Sequence, residues 1–156
     1  MDIEFKSIDL GEALALCVKF RRDTHKISYG NLATYNEEEV VNWFHRNKAE
    51  NDQGFKHIFV NGKIAGQLEF RSPIKEDEVT FGYIYLIYLA GMFRNKGVGK
   101  LAQEYMFDQF KVDGCSEARL RYIPGNVVAE PFYLYTGWEK SGEVGPRGQL
   151  LVRKLA

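Results

Sequence analysis

Residues 79–90 read Val-Thr-Phe-Gly-Tyr-Ile-Tyr-Leu-Ile-Tyr-Leu-Ala, and no other stretch narrows the choice of fold so far. The odd positions carry Val79, Phe81, Tyr83, Tyr85, Ile87 and Leu89; the even ones include Ile84, Leu86 and Tyr88. Strand side chains alternate between two faces, so a run apolar at both parities is expected to be covered on both and to lie centrally in a sheet. The chain has 156 residues, enough for a single domain over 1–156 whose core needs no staple.

Local signals place the other elements around that strand. Residues 3–8 alternate as a first strand, and Leu10, Ala13, Leu14, Cys17 and Val18 form one face of a helix reaching about Arg22. Residues 24–35 break the period and read as loop. Asn36 before Glu37, Glu38 and Glu39 reads as an N-cap with acids in the first turn, opening a helix through Val40, Val41 and Phe44. Asn61-Gly62 between two β-rich runs predicts a type I′ hairpin, because both residues tolerate positive φ. From Gly97 the period becomes helical: Val98, Leu101, Ala102, Tyr105, Met106 and Phe110 make an apolar stripe opposite Lys100, Glu104, Asp108 and Lys111. Gly114 ends that helix, residues 118–123 alternate as a strand, residues 129–136 make a short helix closed by Gly137, and two strands finish the chain. The order βααβββαβαββ predicts an α/β fold, a mixed sheet with helices packed on it.

Composition excludes some functions. Basic and acidic residues number 21 each and the sequence pI is near 6.8, which argues against a nucleic-acid partner. No apolar run approaches the roughly 20 residues of a membrane-spanning helix, and the first residues lack a basic and an apolar region, so no membrane partner and no signal peptide are expected. Cys17 and Cys115 stand far apart without histidines at metal-ligand spacing and read as free thiols of a reducing cytoplasm.

The chemistry gathers at Phe93-Arg94-Asn95-Lys96-Gly97-Val98-Gly99-Lys100, two glycines among cations where a strand gives way to a helix. A Walker A loop fails: Lys96 stands where its second glycine belongs, and Leu101 where its hydroxyl belongs. A dinucleotide fingerprint matches the letters Gly97-x-Gly99-x-x-Ala102, yet a charged segment separates it from the strand and no acid ends the next strand. The third reading is Arg94-x-x-Gly97-x-Gly99. A helix N-terminus leaves N–H groups unpaired and carries about half a positive charge. Glycines let a pyrophosphate reach the backbone, and Arg94, Lys96 and Lys100 supply countercharge. A tight strand-to-helix turn alone would also use two glycines but leaves the clustered cations unexplained.

Four features occur in order: a central strand ending Leu86-Ile87-Tyr88-Leu89, the Arg94-x-x-Gly97-x-Gly99 loop, Asn126 after the next strand, and Ala129, Tyr133 and Gly137-Trp138. Together they resemble the GNAT family of acyl-coenzyme A-dependent N-acetyltransferases over about 79–138. The resemblance implies a GNAT-like fold whose mixed sheet is mostly antiparallel. It implies acetyl-CoA as co-substrate, without a metal, and direct acetyl transfer to a primary amine in a ternary complex. The pyrophosphate would lie on Asn95, Lys96, Gly97, Val98, Gly99 and Lys100, beside Arg94. The pantetheine arm would run along the backbone at Leu89, with Asn126 touching it from the opposite lip. Tyr133 would serve the departing thiolate. Gly91-Met92 replaces the family's frequent Pro-Glu, and Trp138 its commoner Phe. The acceptor would be a small-molecule or peptide amine facing residues 25–35, Tyr83 and Tyr85. Relatives often form homodimers, though nothing in this sequence locates an interface. A module that binds acyl-CoA without turnover, as a sensor or inactive relative, is the alternative.

An alkyl ammonium near pKa 10.4 is only about one part in two thousand neutral at pH 7, so a proton acceptor is needed. No carboxylate lies within residues 79–90. Glu69, Glu78 and His25 are the candidates, each expected at the surface.

Overall fold

The computed structural model describes residues 1–155. The elements are β1 (Ile3–Ser7), α1 (Leu10–Tyr29), α2 (Glu37–Glu50), β2 (Phe55–Val60), β3 (Lys63–Glu76), β4 (Val79–Leu89), α3 (Val98–Val112), β5 (Glu117–Tyr122), α4 (Ala129–Tyr135), β6 (Glu139–Gly145) and β7 (Gly148–Lys154). One seven-stranded sheet takes the order β1-β2-β3-β4-β5-β7-β6, which puts β4 fourth of seven, in the centre as expected. β1–β2, β2–β3, β5–β7 and β6–β7 pair antiparallel, and β4–β5 pair parallel. The fold is the expected α/β arrangement with a mixed, mostly antiparallel sheet.

The chain divides into two compact units, Met1–Glu69 with Leu86–Gly99 and Phe70–Tyr85 with Lys100–Ala156, so β3 and β4 each contribute to both. In the first unit, Asp9 caps α1 by accepting from the Gly11 N–H at 2.9 Å, and Asn36 caps α2 by accepting from Glu39 at 3.1 Å. Such caps stabilise a helix by about 1 kcal/mol each. α1, α2 and β2 bury Ile8, Cys17, Val18, Phe44 and Phe55 against one another. The hairpin turn holds Asn61 at φ 49° and Gly62 at φ 81°, as its sequence requires.

α1 runs seven residues beyond the expected end at Arg22. Phe20 packs with Leu86 and Tyr88, and Ile27 joins that cluster, so tertiary burial overrides weak local propensity. The Thr24 hydroxyl bonds back to the Phe20 carbonyl at 2.9 Å. Gly30, at φ 81°, stops the helix and donates to the Lys26 carbonyl at 2.7 Å.

In the second unit, Phe110 of α3 fills the space over Gly82, where a Cβ would come within 2.3 Å of the ring. Phe70 meets the same ring at 6.0 Å and Tyr105 at 6.4 Å. Two expectations are corrected here. Leu101, placed in the buried stripe of α3, is 43% exposed, while Gln103 is buried. β4 is covered fully on one side and in part on the other: Gly82, Ile84, Leu86 and Tyr88 are buried, whereas on the opposite side Phe81 is buried, Tyr83, Ile87 and Leu89 are half-buried and Tyr85 is exposed.

In the first unit β3 and β4 approach closely at Gly66, where an added Cβ would stand 1.9 Å from the Tyr88 carbonyl oxygen. That neighbour is backbone and cannot swing away. Gly66→Ala is therefore expected to lower stability by about 2–3 kcal/mol, read as a lower urea midpoint at unchanged slope.

Candidate active site

The loop after β4 is built in steps. The Ala90 N–H donates to the Ala65 carbonyl at 2.8 Å, and Gly91–Phe93 form a short 3₁₀ turn in which Phe93 and Arg94 donate to Ala90 and Gly91 at 2.9 and 3.2 Å. Arg94 is extended, Asn95 turns to φ 61°, Gly97 to φ 82°, and α3 begins at Val98. Val98 is buried and anchors the first turn, while Asn95, Lys96, Gly97 and Lys100 are exposed. A Cβ built on Gly97 would meet nothing within 4 Å, so its backbone is open to an incoming group. The first-turn N–H groups of α3 have no intrahelical acceptors. The arrangement leaves main-chain N–H groups exposed next to two exposed lysines, a pattern chemically suited to an anion.

Arg94 is tied to the strand that precedes it. Its Nε–H donates to the Leu89 carbonyl at 2.9 Å, and its guanidinium carbon lies 5.9 Å from the centre of the Tyr88 ring. The Tyr88 hydroxyl donates to Asp23 Oδ2 at 2.9 Å, and its ring packs 4.8 Å from Phe20. Within the first unit the structure thus brings together Leu89, Arg94, Asn95, Lys96, Gly97, Val98 and Gly99.

In the second unit Asn126 stands just before α4 and Tyr133 lies on it. The Asn126 Oδ1 accepts from the Val128 and Ala129 N–H groups at 3.1 and 3.0 Å, so this side chain caps the helix on which Tyr133 stands. Tyr133 is buried among Tyr122, Phe132 and Trp138, with ring centroids at 6.5, 5.4 and 6.0 Å. Burial pushes its hydroxyl well above the usual phenol range. The end of α4 is fixed by a residue the sequence pattern did not single out. Gln103 donates through Nε2 to the Thr136 hydroxyl at 3.2 Å and accepts from Trp138 Nε1 at 3.3 Å. The Thr136 hydroxyl in turn donates to the Phe132 carbonyl at 2.8 Å. Gln103 lies one position off the apolar stripe, and only its buried partners reveal its role.

The parallel β4–β5 ladder runs from Phe81↔Glu117 to Ile84↔Leu120, whereas β5 continues beside β7 through Tyr122↔Gln149. β5 thus outruns its ladder with β4 by two residues.

The proton-acceptor candidates sort differently. Glu69 is fully buried, not a surface residue: Arg21 grips both its oxygens, with Nε at 3.1 and 3.3 Å, and Gln67 donates to Oε2 at 2.8 Å. Both oxygens of this carboxylate are therefore already taken by donors. Gln67 accepts from His57 at 2.9 Å, and burial holds that imidazole below its usual range. Cys17, next in the chain of contacts at 3.7 Å, is pushed up to about 12 by burial, so it is a thiol and not a nucleophile. Glu78 is an exposed turn residue at φ 65°. His25 is half-buried, with Nε2 3.1 Å from the Thr34 hydroxyl and its ring 4.5 Å from Tyr29. Among the described residues no group of three or more His, Cys, Asp or Glu is placed to hold a metal, and no helix is long and apolar enough to cross a membrane.

The sequence model of the Acetyltransferase (GNAT) family matches residues 18–138. The chain belongs to that family. No curated protein sequence matches it. Among solved structures, the PaiA N-acetyltransferase of Thermoplasma acidophilum in complex with coenzyme A shares 21% identity over 99% of both chains, with a TM-score of 0.75. A GNAT-family acetyltransferase of Staphylococcus aureus shares 13% over 99% of this chain and 100% of its own, at 0.77. A chain of the NatC complex bound to Gag peptide and CoA shares 16% over the whole of both chains, at 0.68.

In this GNAT acetyltransferase three tyrosines are held neutral. Burial, then the hydrogen bond to Asp23, pushes Tyr88 up to about 12; burial, then the bond to Glu130, does the same for Tyr122; and burial raises Tyr133 further. A folded-state pKa above the unfolded value near 10 stabilises below pH 10 and is lost as pH rises through 12. Stability is expected to fall across that window. The last phenolate absorbance should appear together with loss of the far-ultraviolet circular dichroism. Complete ionisation near pH 10 in a folded protein would contradict this.

Proposed function

We propose that the chain is an acetyl-CoA-dependent N-acetyltransferase that passes an acetyl group directly to a primary amine. Family membership and the coenzyme A bound in the Thermoplasma relative support this reading. The observation that carries it is the loop at Arg94–Gly99, where left-handed Asn95 and Gly97 turn the backbone into α3. These residues fit the co-substrate: an open main chain at Gly97, first-turn N–H donors, and Lys96 and Lys100 exposed beside them. Val98 and Gly99 complete the turn, and Arg94 holds the Leu89 carbonyl, fixing the strand end along which the pantetheine arm would lie.

The amine nitrogen attacks the thioester carbonyl carbon; a C–N bond forms, the C–S bond breaks, and the ammonium proton leaves to water. Asn126 orients α4 and Tyr133 donates a hydrogen bond to the departing sulfur. With its hydroxyl raised by burial, Tyr133 keeps its proton, so its role is stabilisation of the thiolate and not full transfer. No dedicated base is assigned: Glu69 is occupied by Arg21, and a desolvated site favours the neutral amine by itself.

The test is free-thiol release from acetyl-CoA over a panel of small-molecule and peptide amines. Turnover with at least one amine is expected, and Tyr133→Phe should lower kcat by about 10–100-fold with coenzyme A affinity little changed, as measured by calorimetry. Undiminished turnover removes Tyr133 from the chemistry. Binding of coenzyme A without turnover of any amine favours a sensor. Gly97→Val forces a branched residue to φ 82° in the space the pyrophosphate would fill, and should weaken coenzyme A binding about tenfold or more. Wild-type affinity in the folded variant would move the pyrophosphate elsewhere.

A further inference from the structure

In the second unit the partly open face of β4 presents Tyr83 and Tyr85, whose ring centroids are 5.0 Å apart at 56°. β5 lies beside them, with Tyr83 opposite Arg119. The Arg119 guanidinium carbon sits 3.9 Å from the centre of the Phe81 ring, which puts Arg119 on the face of Phe81, Tyr83 and Tyr85. Arg121, two residues on, shares that face. Arg119 is already neutralised by Glu117 at 2.7 Å, with Glu76 at 3.9 Å. Arg121 and Arg147 are not. Both are exposed, and among the described residues neither is in an ion pair with a carboxylate. Arg121 stands beside the Tyr83 hydroxyl, and Arg147 lies in the turn at the Gly145↔Gly148 pair, two residues before Gln149, which pairs with Tyr122 next to Arg121.

Two guanidinium groups without acid partners, next to a pair of phenol rings, are matched to a planar anion attached to an apolar body. A guanidinium meets a carboxylate through two parallel N–H donors, and the rings take the apolar part. A second ammonium on the acceptor would be repelled there, which disfavours polyamines. We propose that the acceptor amine bears a carboxylate, as an amino acid or a short peptide does, and that Arg121 and Arg147 hold it against the Tyr83–Tyr85 pair. This deepens the acetyltransferase reading and rests on it.

The experiment compares wild type, Arg121→Gln and Arg147→Gln. Thiol release from acetyl-CoA is measured with phenylalanine, with the dipeptide alanyl-phenylalanine, and with the carboxamide of each. In parallel, calorimetry measures binding of N-acetylphenylalanine and its carboxamide to the coenzyme A-loaded protein. The acid is expected to exceed its carboxamide about tenfold or more in kcat/KM and in affinity, and each variant should cut that preference to about twofold. Whichever of the amino acid and the dipeptide shows the larger preference identifies the source of the carboxylate. The proposal is overturned if carboxamides serve or bind as well as acids, or if the variants weaken both alike. Tighter binding of the acid without any thiol release supports this site and strikes the acetyltransferase reading; turnover without acid preference does the reverse.

Discussion

The hydrogen bond from Arg94 to the Leu89 carbonyl joins the end of the central strand to the loop that opens α3. Without that tie the loop would be a string of exposed polar residues and glycine, costly to order and free to take many shapes. With it, the strand end and the start of the loop are held to each other. The tie is itself braced, since Arg94 lies over Tyr88 and the Tyr88 hydroxyl is bound by Asp23 on α1. The loop proposed to hold the co-substrate thus inherits its geometry from the core of the first unit.

Buried polar groups set the same kind of precision elsewhere. In the first unit Arg21, Glu69, Gln67 and His57 form an unbroken series from α1 across β3 to β2, with the Arg21 guanidinium carbon 4.6 Å from the centre of a Trp43 ring. Burying such an ion pair gains little net energy, because desolvation offsets the attraction. What it supplies is a single arrangement, since any slip of β3 against α1 strands a charge in the core. Gln103 serves the second unit likewise, where a shifted α4 would part both the Trp138 N–H and the Thr136 hydroxyl from the buried Gln103 amide.

The features read correctly from the sequence are those whose cause is local. Asn61-Gly62, the Asn36 cap and the glycine turn that opens α3 are written in residues a few positions apart, and the central place of β4 follows from the length of its own apolar run. The features missed depend on distant partners. Arg21 meets Glu69 across 48 positions, Asp23 meets Tyr88 across 65 and Trp138 meets Gln103 across 35. The extension of α1 is of this kind, because Ile27 is helical only for having a core to enter. The partly open face of β4 was misread for a different reason. Apolar alternation marks a face as oily, and a ligand site on a central strand is oily too.

Burial decides what Tyr133 can contribute. A phenol at its ordinary value is already a weaker acid than a thiol by about 1.5 units, so proton transfer to the thiolate runs uphill by roughly 2 kcal/mol. Burial among Trp138, Phe132 and Tyr122 makes that step steeper still. The same burial strengthens a hydrogen bond offered to a full negative charge, worth roughly 1.5–3 kcal/mol and hence about one to two factors of ten in rate. A phenol that never lets go of its proton also needs no reprotonation before the next turnover. Desolvation therefore makes Tyr133 a worse acid and a better oriented dipole, and in the proposed transfer it is the dipole that thiolate departure would call for.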